Sequence, residues 1–285
     1  MRGLRWLVPL ALVAVLAATA CGDDGDDVST GDPEGEGPSG SGWVEYPTGA
    51  DDVVIEIASE GGFAGPSAVP PPPSLLVLGE GRLVQPGVTT MQYPGALVPP
   101  LQERSISEDG IEQLLALADE HGLLAERTYD GPDDVMDAPD TVVTVTAGGR
   151  TYQHRAYALG VGTGDDGRET DPARADLQAF VEAASAFASS QDPALGTEAP
   201  FAADAYLVRA VPDDGTPTPD GIEPSTAEWP ADAPVRLADA GECAEVPAPA
   251  VAGALADADE LTRFIDGGVA YVVSAVPRLP GRSCA

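Results

Sequence analysis

Apolar and polar side chains alternate over residues 52–58, the period of a strand with one buried face. Ser59-Glu60-Gly61-Gly62-Phe63-Ala64-Gly65 then predicts a glycine loop with one aromatic, and Pro70 to Pro73 a rigid polyproline stretch. Residues 74–78 and 82–85 are short apolar runs around Gly79-Glu80-Gly81, a hairpin signature. Tyr93-Pro94-Gly95 and Pro99-Pro100 predict an irregular loop over 86–104. A helix follows. Ser105-Ile106-Ser107-Glu108 matches a capping box, in which a hydroxyl and a carboxylate satisfy orphan N–H groups. Glu108 and Asp109 fall at the positive end of the helix dipole. Ile111, Leu114, Leu115 and Ala118 form its apolar stripe, and His121-Gly122 ends it, with His121 read as a partner of the C-terminal dipole.

Residues 141–146 and 151–159 are predicted strands joined at Gly148-Gly149, a two-residue turn that permits positive φ. Tyr152, His154 and Ala156 share one face of the second strand; Gln153, Arg155 and Tyr157 share the other. His154 reads as a half-exposed sheet residue rather than a catalyst. Asp171-Pro172 opens a second helix with proline at its first position, and Leu177, Phe180, Val181, Ala184 and Phe187 make its stripe. Residues 190–203, with Pro193, Gly196 and Pro200, read as a domain boundary. Beyond it, 205–211 predicts a strand and 235–237 a short one. Val251, Leu255 and Ala258 suggest a short helix, and 261–265 with 269–276 a hairpin about Asp266-Gly267-Gly268. The last strand is apolar on both faces, which predicts a central place in its sheet. The expected fold class is α+β: antiparallel sheets with helices packed on one face, in two small domains at 43–190 and 204–285.

Charge narrows the range of partners. The 285 residues carry 47 acids against 14 bases, a net −33, and every base is Arg. Such a chain repels nucleic acid and anionic headgroups, so no nucleic-acid partner is expected. Solubility is the plain reading of the acidity, with diffuse cation binding as the sharper one. A hydrophobic share of 43% still supplies a core.

The N-terminus changes the picture most. Arg2 and Arg5 precede an apolar run from Leu7 to Ala18, broken by Pro9. About a dozen apolar residues are too few to span a bilayer. With Ala18-Thr19-Ala20 leading into Cys21, they read as a secretory signal over residues 1–20. Residues 22–42 hold seven acids and no base among Gly, Ser, Thr and Pro, and read with Cys21 as a disordered acidic tether over 21–42. With Cys21 taken by lipid, as a resemblance to the bacterial lipobox implies, Cys243 and Cys284 are an even pair in an oxidising compartment, and a disulfide is expected between them. The rival reading is a metal site. Two thiols without a nearby His make a poor zinc shell, so no metal and no cofactor is expected.

Catalytic signatures are sparse. There is no Gly-x-Ser-x-Gly elbow, no His-Glu-x-x-His and no Cys-x-x-Cys, and the two histidines leave few options for a Ser-His-Asp arrangement. Gly160-Val161-Gly162-Thr163-Gly164 puts Asp165 where a dinucleotide fingerprint needs its third glycine, so it reads as a loop. Asp130, Asp133, Asp134 and the run Asp137 to Asp140 lack EF-hand spacing and read as solvated turns.

Two resemblances add to this. Ala18-Thr19-Ala20-Cys21 resembles a bacterial lipobox, and the tether, the Leu78-Gly79-Glu80-Gly81-Arg82 hairpin and the Leu279-Pro280…Cys284 ending resemble uncharacterised lipoproteins of high-GC Gram-positive bacteria. That resemblance implies a diacylglyceryl group on Cys21 and a place on the outer face of the cell membrane. Ala18 stands where the lipobox more often has Leu, which keeps plain secretion open. Residues 53–187, with Gly61-Gly62-Phe63-Ala64-Gly65, are similar to emfourin-type inhibitors of thermolysin-like metalloproteases. That similarity implies a sheet-plus-helix fold and a possible interaction loop at Gly61, Gly62 and Phe63. The expectation is a non-enzymatic, lipid-anchored envelope protein with a protein or envelope partner. The alternatives are a metalloprotease inhibitor and a hydrolase without recognisable motifs.

Overall fold

The alternating stretch that begins the folded region forms β1 (Val53–Gly61) in the computed structural model, which describes residues 44–62, 69–161, 169–218 and 221–284. Cys21, Phe63 and most of the 160–164 glycine stretch lie outside the described residues. Around β1 assembles a seven-stranded sheet. Its members are β2 (Leu75–Leu78), β3 (Arg82–Pro86), β4 (Leu101–Ser105), β5 (Pro139–Ala147), β6 (Arg150–Tyr157) and β7 (Ala199–Pro200). The order is β6-β5-β1-β2-β3-β4-β7, with every neighbouring pair antiparallel. Gly148 and Gly149, at φ 58° and 70°, make the primed turn that matches the twist of β5 and β6.

Helices α1 (Glu108–Glu120) and α2 (Pro172–Ala188) cover one face of this sheet. The predicted stripes face the core, with Val181 and Phe187 of the second only half-buried at its margin. Ile111, Leu114, Leu115 and Ala118 meet Leu177, Phe180 and Ala184 over Ile55, Ile57, Leu75 and Val143. At the start of α1 the prediction needs correction. The cap is Ser107, whose hydroxyl accepts the Gly110 N–H at 3.3 Å. Ser105 cannot serve, because its backbone belongs to β4, opposite Arg82, and its carbonyl takes the Gly196 N–H. Asp171 caps α2 through the Arg174 N–H, as expected from Asp-Pro.

The second sheet contains β8 (Ala205–Pro212), β9 (Thr226–Glu228), β10 (Ala244–Pro247), β11 (Arg263–Asp266) and β12 (Val269–Pro277). Its order is β10-β8-β12-β11-β9, antiparallel except for β9 beside β11. β12 is central, as its two apolar faces predict. Helices α3 (Leu237–Ala240) and α4 (Ala248–Ala256) pack on the face that carries Tyr271, Val273 and Ala275. Residues 235–237, expected as a strand, instead lead into α3, whose first N–H bonds the buried Asp266 carboxylate at 2.8 Å. The molecule is thus α+β, with two open sheets.

Residues Trp43–Ala285 cluster as one unit, and the chain crosses between its two sheets. Part of the 190–203 stretch, read as a boundary, becomes β7 on the edge of the first sheet. Within the loop 86–104, Leu97 and Val98 pack against the second core, and Ala96 bridges Asp259. The same loop ends in β4, a strand its prolines concealed. The C-terminal tail crosses the helix-free face of the first sheet, where Leu279 packs with Leu76, Leu78, Val84 and Leu101. Beyond it, Cys284 stands at disulfide distance from Cys243, with Cα atoms 5.5 Å apart.

Candidate functional site

β1 runs further than its pattern suggests. Ser59, Glu60 and Gly61, expected in a loop, are strand residues paired with Thr141, Asp140 and Pro139. The glycines have a local role: Gly61 and Gly62, at φ 70° and 80°, turn the chain out of the strand in a region costly for other residues. A Cβ on Gly62 would also press on the Pro139 backbone at 3.2 Å. Of the interaction loop predicted at Gly61, Gly62 and Phe63, the two glycines are therefore a strand end.

Beside that strand end lies a groove of about 700 Å³. One wall is Ser59–Gly61 with the polyproline segment. The floor is the outer face of β12, with Val272, Ser274 and Val276 turned away from the second core. The far wall is Leu97, Pro99 and Glu260.

Each wall is pinned from elsewhere in the chain. Arg282 of the tail pairs with Glu56 and donates to the Pro71 carbonyl at 2.7 Å, holding the prolines. The far wall is a short backbone ladder. Leu97 N–H bonds the Ala258 carbonyl at 3.1 Å, Glu260 N–H bonds the Gly95 carbonyl at 3.0 Å, and the Glu260 carboxylate accepts the Gly95 N–H at 3.1 Å. Glu60 pairs with Arg155, which also holds Asp140 at 2.9 Å. Among the described residues the lining thus carries two carboxylates, Glu60 and Glu260, and no basic side chain.

Three clusters of buried polar groups around the first core contribute nothing to the groove lining and have their hydrogen bonds filled within the fold. His154, expected half-exposed, is fully buried, because the face it shares with Ala156 is the one α1 and α2 cover. Its Nε2 meets the Leu123 carbonyl at 2.9 Å and its Nδ1 the Tyr129 hydroxyl at 2.8 Å. A carbonyl only accepts, so Nε2 carries the proton and Nδ1 accepts from Tyr129. Burial lowers the His154 pKa and pushes the Tyr129 hydroxyl up to about 12.

Arg174 and Glu169 form a buried two-pronged pair at 2.9 and 2.7 Å. Arg174 also donates to the carbonyls of Asp130, Tyr157 and Ala158. Its guanidinium holds the Glu169 carboxyl below the usual range. Arg104 donates to the carbonyls of Ala188, Ser190 and Gly196, a cation at the negative end of α2. All three clusters fasten loops to the first core.

Among the described residues, no group of three or more His, Cys, Asp and Glu stands close enough to hold a metal ion. No helix among them is long and apolar enough to cross a membrane. Asp133, Asp134 and Asp137 are exposed, while Asp140 is drawn into β5 beside Arg155.

Sequence reasoning passed over the groove, though it left two signals. One is the second apolar face of β12, for which one core has no use. The other is four prolines opposite a strand that continues past its partner. Comparison with protein-family models, with curated proteins and with solved structures finds no match to this chain.

Proposed function

We propose that this chain is a lipid-anchored binding protein of the cell envelope, without catalysis of its own, and that the groove between β1 and β12 is its binding surface. The observation that carries the reading is the groove itself. It has an apolar floor on an otherwise complete sheet, an acidic lining, and walls braced by segments remote in sequence. Pockets of a few hundred cubic ångströms with few, placed polar groups are the usual form of a binding site. The pairing distance of Cys243 and Cys284 fits an oxidising compartment, and Cys21 would carry the lipid.

The test places a photo-crosslinking residue at Ser274, in the groove, and separately at the exposed Glu228 on β9, the far edge of the second sheet. Each is expressed in the native cell envelope. A discrete adduct from position 274 and none from 228 is expected, and no adduct from 274 would remove the groove from the account. In parallel, Cys21→Ala should move the protein from the membrane fraction into the medium. Retention in the membrane would overturn the anchor.

A further inference from the structure

We infer that the groove takes an extended segment of another polypeptide bearing Lys or Arg, laid along the open side of β1 at Ser59 and Gly61. This rests on the reading of the groove as the binding surface and specifies its occupant.

The backbone carries the first part. The Ile57 carbonyl accepts the Ser74 N–H at 2.8 Å, so Ile57 aims its backbone groups toward β2. Backbone groups alternate in direction along a strand, so Ser59 and Gly61 aim theirs the same way. β2 begins only at Leu75, its register with β1 ends at Ile57, and the groove beside Ser59 and Gly61 is lined by Pro70 to Pro72. Proline has no N–H, so these residues cannot donate to the carbonyls of Ser59 and Gly61. β1 therefore presents a short strand edge to the groove at Ser59 and Gly61, while the same stretch is paired to β5 on its other side. An exposed edge of this kind takes an added strand, with main-chain bonds for affinity and alternate side chains for specificity.

The floor fits that geometry. Val272 and Val276 are four residues apart on one face of β12, about 13 Å at strand rise, enough for alternate side chains of a segment of about four residues. Charge selects the sign. Among the described residues, Glu60 and Glu260 line the groove without a basic side chain. The guanidiniums beside it are already paired, Arg155 with Glu60 and Asp140 and Arg282 with Glu56, and the chain carries net −33. An acidic segment is repelled and a basic one attracted.

The experiment uses the full chain in detergent and the probe acetyl-Val-Lys-Val-Lys-Val-amide. Its companions are the Glu-for-Lys peptide and two versions N-methylated on alternate residues. The Lys peptide should bind with slowed exchange of the Ser59 and Gly61 amides, and the Glu peptide should not. One N-methylated version should lose about tenfold in affinity while the other matches the parent, because only alternate N–H groups face β1. Glu260→Gln should weaken binding several-fold, and Ser274→Arg, a second variant at an exposed position, should block it. Equal binding of the two N-methylated peptides, equal binding of the Lys and Glu peptides, or unchanged exchange at Ser59 and Gly61 would each overturn the proposal. If no peptide binds while the Ser274 adduct persists, the occupant is wrong and the binding surface stands. If both fail, the binding reading falls with it.

Discussion

Replacing Cys284 with Ser tests how the tail supports the rest of the molecule. A bond between Cys243 and Cys284 closes a loop of sequence separation 41. In the chain-entropy model that constraint contributes about 4 kcal/mol at 25 °C. For a unit of this size each kcal/mol moves the melting temperature by about 2–4 °C, so the variant should melt about 8–16 °C lower. The loss has a location as well. The tail carries Leu279, 1% exposed, against the first sheet, and Arg282, which ties Glu56 and the Pro71 carbonyl. Freed at Cys284, this tail should exchange its amides faster and release the proline wall before global unfolding. The assay is thermal unfolding by circular dichroism with and without reductant, alongside hydrogen exchange. A fall of less than about 3 °C would refute the entropic estimate. So would a reductant effect of equal size in wild type and variant. Arg282→Gln should loosen the prolines with a smaller global cost, about 1.5–3 kcal/mol for hydrogen bonds to a charged group.

Four further outcomes follow from buried residues. Arg174→Ala leaves the Glu169 carboxylate, only 7% exposed, without its partner, and should cost about 3–5 kcal/mol in urea unfolding. The Glu169 pKa is lowered in the fold, so its contribution is complete above the unfolded carboxyl pKa and is lost as pH falls through the folded value. Glu169→Gln should therefore flatten the acid limb of stability against pH. The His154 pKa is also lowered, so the neutral form is the folded one, and stability should decline as pH drops below about 6.5. His154→Gln should remove that slope, and a slope that survives would assign it to another group. Gly79→Ala drives a methyl group into the Pro47 carbonyl oxygen and should cost about 1–3 kcal/mol, read as a shift in the unfolding midpoint.

Local periodicity carried much of the secondary structure. The stripes of α1 and α2, the Gly148-Gly149 turn and the central position of β12 were legible because each depends on residues a few positions apart. The errors share one cause. Ser105 looks like a cap until β3 claims its backbone, His154 looks half-exposed until two helices close over its face, and β4 is hidden by the prolines before it. Residues 235–237 alternate like a strand but are drawn into α3 by the Asp266 carboxylate, 29 positions away.

The sequence by itself determined the fold class, because hydrophobic period and turn chemistry are short-range properties of the chain. It also determined the acidic charge, which is a matter of composition. Only the tertiary structure decided the groove. Its walls come from residues near 60, 70, 97, 260 and 274, and each is held by a contact across a long stretch of chain, as Arg282 holds Glu56 at a separation of 226. Local patterns mark two of its parts, the doubly apolar β12 and the proline run, but not their meeting. The groove exists because the strand β1 outruns its proline neighbour and the outer valines of β12 face the space that is left.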